Sequence, residues 1–117
     1  MKKIQVFGIP NCSSVKKARA WLDGHGVAHE FHDFKKQGLP EAELDRWLKA
    51  VGHEVLLNRK GTTWRGLSAA EQAAVVDLPS ARAALLAYPS LVKRPVVVAG
   101  PTVVVGVNPP AWSRVIE

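Results

Sequence analysis

The sequence predicts an α/β fold: a four-stranded mixed sheet flanked by helices, with a helical insertion between the second and third strands. Three observations carry that expectation. Residues 4–34 run strand, helix, strand. Residues 39–90 show helical periodicity and helix-capping residues almost throughout. Residues 95–106 are two β-branched runs broken by Gly100-Pro101, the pattern of a hairpin.

Taken in order, Ile4 to Phe7 alternates apolar with polar and reads as the first strand. Gly8-Ile9-Pro10-Asn11 is a turn. A helix is expected from about Ser14 to Asp23, because Val15, Ala18, Trp21 and Leu22 form an apolar stripe while Lys16, Lys17 and Arg19 point to solvent. Gly24 and Gly26 end it. Val27 to Phe34 reads as the second strand. With one short helical crossover between them, the two strands are expected to lie side by side and parallel.

Lys35-Lys36-Gln37-Gly38 reads as a polar, solvated loop. Pro40 and Glu41 then open a helix whose face is Leu44, Trp47, Leu48 and Val51 and which stops at Gly52. Glu54 to Asn58 reads as one further turn, and Arg59 to Arg65 as a polar break that contains Trp64. Ser68 with Glu71 three residues later is a capping box, opening a helix to about Val76. Ser80 is expected to cap another, Ala81 to Ala87. After the hairpin, Pro109-Pro110 starts a last helix with Trp112 and Val115 on its apolar side. This order, β-α-β, helical insertion, β-hairpin and helix, is the thioredoxin-like plan.

The length of 117 residues fits one domain over 1–117, with the insertion at about 39–90. No apolar run approaches the ~20 residues of a membrane-spanning helix. The start of the chain carries no secretory apolar region, so a cytoplasmic protein is expected. Net charge is +6, but Lys and Arg are scattered apart from doublets such as Lys16-Lys17, Arg59-Lys60 and Lys93-Arg94. Scattered doublets suit a small anion better than a nucleic-acid track, and no nucleic-acid or membrane partner is expected. The single cysteine excludes an internal disulfide.

That cysteine, Cys12, organises the functional reading. It falls between a strand-ending turn and the start of a helix, where unpaired backbone N–H groups and the positive end of the helix dipole favour an anion. A free thiol has a pKa of about 8.5, so only a few per cent is thiolate near neutral pH. A helix end typically contributes about 0.3–1 kcal/mol toward an anion. One pKa unit corresponds to about 1.4 kcal/mol. Cations such as Arg94 or Lys16 are therefore expected to complete the activation. The plainer alternative is a buried, inert cysteine; the strand-turn-helix position favours the reactive one.

Three blocks carry a family resemblance: Gly8-Ile9-Pro10-Asn11-Cys12-Ser13-Ser14-Val15-Lys16-Lys17-Ala18, Leu57 to Leu67 with Asn58-Arg59-Lys60-Gly61-Thr62-Thr63-Trp64 at its centre, and Lys93-Arg94-Pro95-Val96-Val97. Their order and spacing resemble the arsenate reductase (ArsC)-like family, related to glutaredoxins. The nearest branch is YffB, and the regulator Spx is a more distant relative. The resemblance implies Cys12 as catalytic nucleophile and Asn11, Ser13, Arg59, Lys60, Arg94 and Pro95 as substrate- or anion-binding residues. It further implies that Pro95 is a cis-proline facing the cysteine.

The departures from the family pattern narrow the activity. Val15 stands where the Spx type has its second cysteine, so no internal resolving thiol remains. Gly8 stands where arsenate reductases carry a histidine, and Val105-Gly106-Val107-Asn108 where they place a further arginine. Lys60 replaces the arginine before the Gly-Thr turn, keeping charge but losing the bidentate fork. The resulting expectation is a glutathione-dependent thiol reductase whose Cys12 is resolved by an external thiol. No bound cofactor and no metal are expected. Glutathione serves as co-substrate, and glutathione, another small thiol or a protein disulfide is the partner. A non-enzymatic, Spx-like regulatory or binding protein is the alternative, and arsenate reduction proper is the third.

Other candidates are weaker. His25, His29, His32 and His53 make no metal set with Cys12 and are expected at solvent or strand-edge positions. Trp21 and Trp47 lie on apolar helix faces and read as core. Trp64 divides between packing and a pocket wall.

Overall fold

The computed structural model of the chain describes residues 3–116. Residues 1, 2 and 117, the outermost of the expected single domain, lie outside the described range. The chain divides into two compact units, one formed by the chain up to Gln37 and from Arg94 onward, the other by Gly38–Lys93.

The first unit holds the sheet. β1 (Ile4–Gly8) is flanked by β2 (Glu30–Asp33) in parallel and by β3 (Val96–Ala99) antiparallel, and β4 (Thr102–Val105) extends it antiparallel to β3. The spatial order is therefore β2-β1-β3-β4, the mixed thioredoxin-like sheet. Parallel pairing of β1 with β2 requires a crossover, which α1 (Ser13–Gly24) supplies. The β3–β4 hairpin turns through Gly100 at φ 59, a conformation that side chains with a Cβ rarely adopt.

Alternation along the strands sorts the side chains into faces. Phe31, Val6, Val97 and Val104 are register partners and make one apolar row across all four strands. That row, with Ile4 and Ala99, packs against Ala18 and Leu22 of α1 and against Ala111, Trp112 and Val115 of α8 (Pro109–Val115). Each fully buried aliphatic side chain here contributes about 1.5–3 kcal/mol of burial free energy. Trp21 stands at the rim, with its ring 5.5 Å from that of Trp112. Phe7, Val96 and Val98 turn to the opposite face and are also buried.

Two boundaries differ from expectation around β2. It spans only Glu30–Asp33: at its start the Val27 N–H is taken by Leu22 O at the end of α1, at 2.9 Å, and at its end the partner β1 stops at the Gly8–Asp33 rung. Phe34 instead opens a helical turn, α2 (Phe34–Gln37), so Lys35 and Lys36 are helical and exposed. Asp33 drives the switch: its Oδ1 accepts the backbone N–H of Lys35 at 3.0 Å and of Lys36 at 3.2 Å.

The second unit is helical. α3 (Glu41–Val51) buries Leu44, Trp47 and Leu48 and stops at Gly52, whose φ is 83. α4 (His53–Leu56) follows at once. α5 (Thr62–Arg65) is a helical turn inside the block expected to be a plain polar break. α6 (Ala69–Ala73) opens on the Ser68–Glu71 box as expected but ends before Val76. The reason is local: the N–H groups of Val76 and Asp77 both donate to Ser80 Oγ, which belongs to the cap of the next helix.

That helix, α7 (Leu78–Ala87), is capped by Asp77 and not by Ser80. Ser80 occupies the third helical position, where it closes a reciprocal box: its N–H reaches Asp77 Oδ1 at 3.0 Å and its Oγ–H at 2.7 Å. These bonds hold the Asp77 carboxyl below its ordinary pKa. Glu71 is lowered in the same way, first by the Ser68 backbone N–H and then by the Tyr88 hydroxyl at 2.7 Å. Arg82 of α7 clamps α3, donating to Asp45 Oδ1 at 2.6 Å and to Glu41 Oε1 at 3.1 Å. The unit closes on itself beside a 3₁₀ turn (Pro89–Leu91), where Asn58 N–H bonds Leu91 O at 2.8 Å and Lys93 N–H bonds Leu56 O at 2.7 Å.

Candidate active site

β1 delivers the chain to Gly8, three residues turn, and Cys12 becomes the N-cap of α1. Its backbone is extended (φ −134, ψ 123), and its carbonyl accepts the N–H of Lys16 at 3.0 Å. Helix geometry therefore starts at Ser13, one residue earlier than the sequence suggests. The Cys12 side chain makes no capping hydrogen bond and is only half-buried. The first-turn N–H groups have no intrahelical partner, and no acidic side chain occupies that turn. An anion at Cys12 thus meets free donors and no like charge in the first turn of its helix.

Val15 fixes how this turn meets the sheet. It is the third helical residue and is 1% exposed. A Cβ placed on Gly8 would lie 2.5 Å from one of its γ-methyls, so the helix rests directly on the backbone at the end of β1. Glycine at 8 is here a matter of close approach.

The other end of the chain reaches the same edge of the sheet. Phe7 pairs with Val96, so Gly8 and Pro95 stand at the next level. Pro95 is buried, its carbonyl accepts Gly106 N–H at 2.8 Å, and the Arg94–Pro95 peptide is cis. Arg94 is half-buried and makes no hydrogen bond or ion pair among the described residues. Asn11 and Ser13 flank Cys12 and are exposed. The sheet unit therefore brings Asn11, Cys12, Ser13, Arg94 and Pro95 to one end.

Arg59 and Lys60 lie on the helical unit, in the loop before α5, and both are exposed. Asn58 shapes that loop: its Oδ1 accepts Lys60 N–H at 3.0 Å, and its amide fills the space beside Gly61. The Arg59 guanidinium lies 5.1 Å from the centre of the Trp64 ring, and Gln72 Nε2 donates to the Trp64 carbonyl at 2.8 Å. Trp64 is thus a half-buried platform for Arg59. The sequence hint was an aromatic isolated in a polar block.

The histidines do not behave uniformly. His25 is exposed and stacks on Trp21 at 3.9 Å, and His32 lies on edge strand β2, stacked on Phe7 at 4.6 Å. His29 departs from the expected solvent or edge role: its side chain is 5% exposed, with Arg19 Nε donating to its Nε2 at 3.4 Å. Arg19 also covers the Phe31 ring at 4.6 Å, roofing the histidine with a cation instead of solvent. Among the described residues, no three histidine, cysteine or carboxylate side chains gather as a metal site. No described helix is long and apolar enough to cross a membrane.

Comparison with known proteins decides the family, because the ArsC family model matches residues 7–115. The chain belongs to the ArsC family. Among ArsC-like solved structures, it is similar to a YFFB protein with 41% identity and a TM-score of 0.92, over 98% of this chain and 100% of that one. It is similar to an arsenate reductase (ArsC) related protein from Brucella melitensis with 45% identity and a TM-score of 0.75, over 98% and 95%. Its sequence is 36% identical over 105 residues to an uncharacterized protein of Haemophilus influenzae, covering 90% of this chain and 91% of that protein. More distantly, it is 30% identical over 107 residues to the global transcriptional regulator Spx of Streptococcus agalactiae, covering 90% and 77%. The ArsC fold is thus present here with a single cysteine.

Proposed function

We propose that this ArsC-family chain is a thiol oxidoreductase in which Cys12 is the nucleophile and an external thiol, glutathione, completes the cycle. The observation that carries the reading is the state of Cys12. It is the only cysteine among 117 residues, half-exposed at a helix N-terminus with its sulfur unused in capping. Similarity to the arsenate reductase related protein supports thiol chemistry on this fold.

The cycle has two exchanges. The Cys12 thiolate attacks one sulfur of a disulfide, forming a mixed disulfide and expelling the other half as a thiolate. A glutathione thiolate then attacks the outer sulfur, leaving as a disulfide with the substrate half and returning Cys12 to thiolate. No second protein thiol takes part. The half-buried Arg94 supplies a cation for a carboxylate of the incoming partner, with Asn11 and Ser13 offering polar contacts beside the sulfur and Pro95 forming the facing wall. Arg59 and Lys60 are proposed as anion-binding residues on their own loop. Glutathione enters as co-substrate, and no resident cofactor is invoked.

Incubation with oxidised glutathione tests the reading by mass spectrometry. The expected result is one glutathione added at Cys12, removed again by reduced glutathione, and absent in Cys12→Ser. An unmodified wild-type chain after prolonged exposure would overturn it.

A further inference from the structure

We infer that Val15 is the positioning residue of the Cys12 turn, acting through its contact with the bare backbone of Gly8. The inference rests on the proposed role of Cys12 but concerns how the sulfur is held. As third helical residue, Val15 carries one of the free N–H groups that lie opposite an N-cap side chain. A γ-methyl of its own side chain occupies the volume that a Cβ at position 8 would need. One residue thus carries a free first-turn amide next to the cysteine's cap position and anchors that amide to β1. A valine on a helix strongly prefers a single χ1 rotamer, so the methyl does not simply swing aside. At position 8 the rest of the contact is backbone, and the neighbouring Phe7–Val96 rung fixes that backbone in the sheet. Whatever moves Val15 moves the first turn of α1 relative to Cys12.

Positions 8 and 15 therefore share one volume, and the effect of a change at one depends on the other. Gly8→Ala adds the clashing methyl and pushes the turn outward. Val15→Ala leaves a void and lets it loosen. In Gly8→Ala/Val15→Ala the new methyl enters the space the valine gave up.

A double-mutant cycle reads this out at the sulfur. The measured quantity is the rate of alkylation of Cys12 by iodoacetamide at about pH 7 divided by the rate at about pH 10, where thiols are largely ionised. The ratio separates how the sulfur is seated from how exposed it is. We expect each single variant to lower the ratio at least ~3-fold and the double variant to recover to within ~2-fold of wild type, the non-additivity that contacting residues show. Thermal unfolding of the same proteins identifies any variant that does not fold. If Gly8→Ala is such a variant, the comparison of Val15→Ala with the double variant carries the test. A ratio that stays at the wild-type level in the folded single variants, or a double variant no better than Val15→Ala, would overturn the inference even if stability alone were recovered. The outcome is independent of glutathione: a wild-type chain that forms no glutathione adduct refutes the proposed cycle, yet leaves this cycle measurable.

Discussion

Under the proposed cycle, replacing Val15 with cysteine should convert an externally resolved thiol into an internally resolved one. The geometry can be checked inside the same protein. Cys12 and Val15 are the N-cap and third residue of α1, the same relation that Asp77 and Ser80 have on α7, where the two side chains meet at 2.7 Å. A sulfur at 15 is therefore within reach of a sulfur at 12. Trimming a buried valine to cysteine removes about one methyl group, a loss of about 1 kcal/mol. Closing a four-residue loop by a disulfide returns about 1.9 kcal/mol in the chain-entropy model. The oxidised variant should thus be about 1 kcal/mol more stable than wild type, and the reduced variant about 1 kcal/mol less. Mass spectrometry after oxidised glutathione should show loss of two hydrogens and little retained adduct, and denaturant melts of both redox forms should show the stability difference. If Val15→Cys instead holds a stable glutathione adduct at the wild-type yield and never loses two hydrogens, the two positions do not share the first turn as described.

Other outcomes follow from single side chains. Arg94→Ala should slow adduct formation with oxidised glutathione about tenfold, the equivalent of one charge-assisted hydrogen bond of about 1.5 kcal/mol, whereas a neutral disulfide should be affected much less; stopped-flow comparison of the two reagents distinguishes them. Asp77 is held below the ordinary aspartate range by Ser80, so its carboxylate form stabilises α7 above about pH 4, and that contribution is lost as pH falls through the lowered folded value. Asp77→Asn should accordingly unfold with a flatter dependence on acid than wild type, followed by circular dichroism. Asn108 Oδ1 accepts the Ala111 N–H at 3.2 Å as the N-cap of α8, and Asn108→Ala should cost about 1 kcal/mol in a urea melt.

What the sequence disclosed depended on how local the cause was. The β-branched runs on either side of Gly100-Pro101 lie within single short segments, so the hairpin was legible before any pairing was known, whereas β3 is buried on both faces and its inward face was not. The ends of β2 and α6 were not, because each is set by something outside the element. β2 stops where β1 stops, and α6 stops where Ser80 takes the N–H groups of Val76 and Asp77. Reading Ser80 as a cap mistook one half of a reciprocal pair for the other, since an aspartate-to-serine box lacks the glutamate that marked Ser68–Glu71. Around the site, the strand-turn-helix pattern was enough to place Cys12 at the head of α1. The placement of Arg94 and Pro95 at the same end required the antiparallel β1–β3 register, which links residues almost ninety positions apart and which local pattern does not encode. The contact between Gly8 and Val15 was equally hidden: the two stand out in sequence only as separate departures from family relatives, while in space they are one fitted pair.

The presence of one thiol also determines what such a protein can sense. For a single cysteine, exchange with oxidised glutathione gives one mixed disulfide and one reduced glutathione, so occupancy depends on the simple ratio of the two forms. A dithiol closing its own disulfide releases two reduced glutathiones, and its balance depends on the square of their concentration. Diluting a cell's whole glutathione pool at constant ratio would oxidise the second kind of protein and leave the first unchanged. Under the proposed cycle, with valine packed at position 15 and no thiol in the chain but Cys12, this protein would register the proportion of oxidised thiol and be blind to the amount.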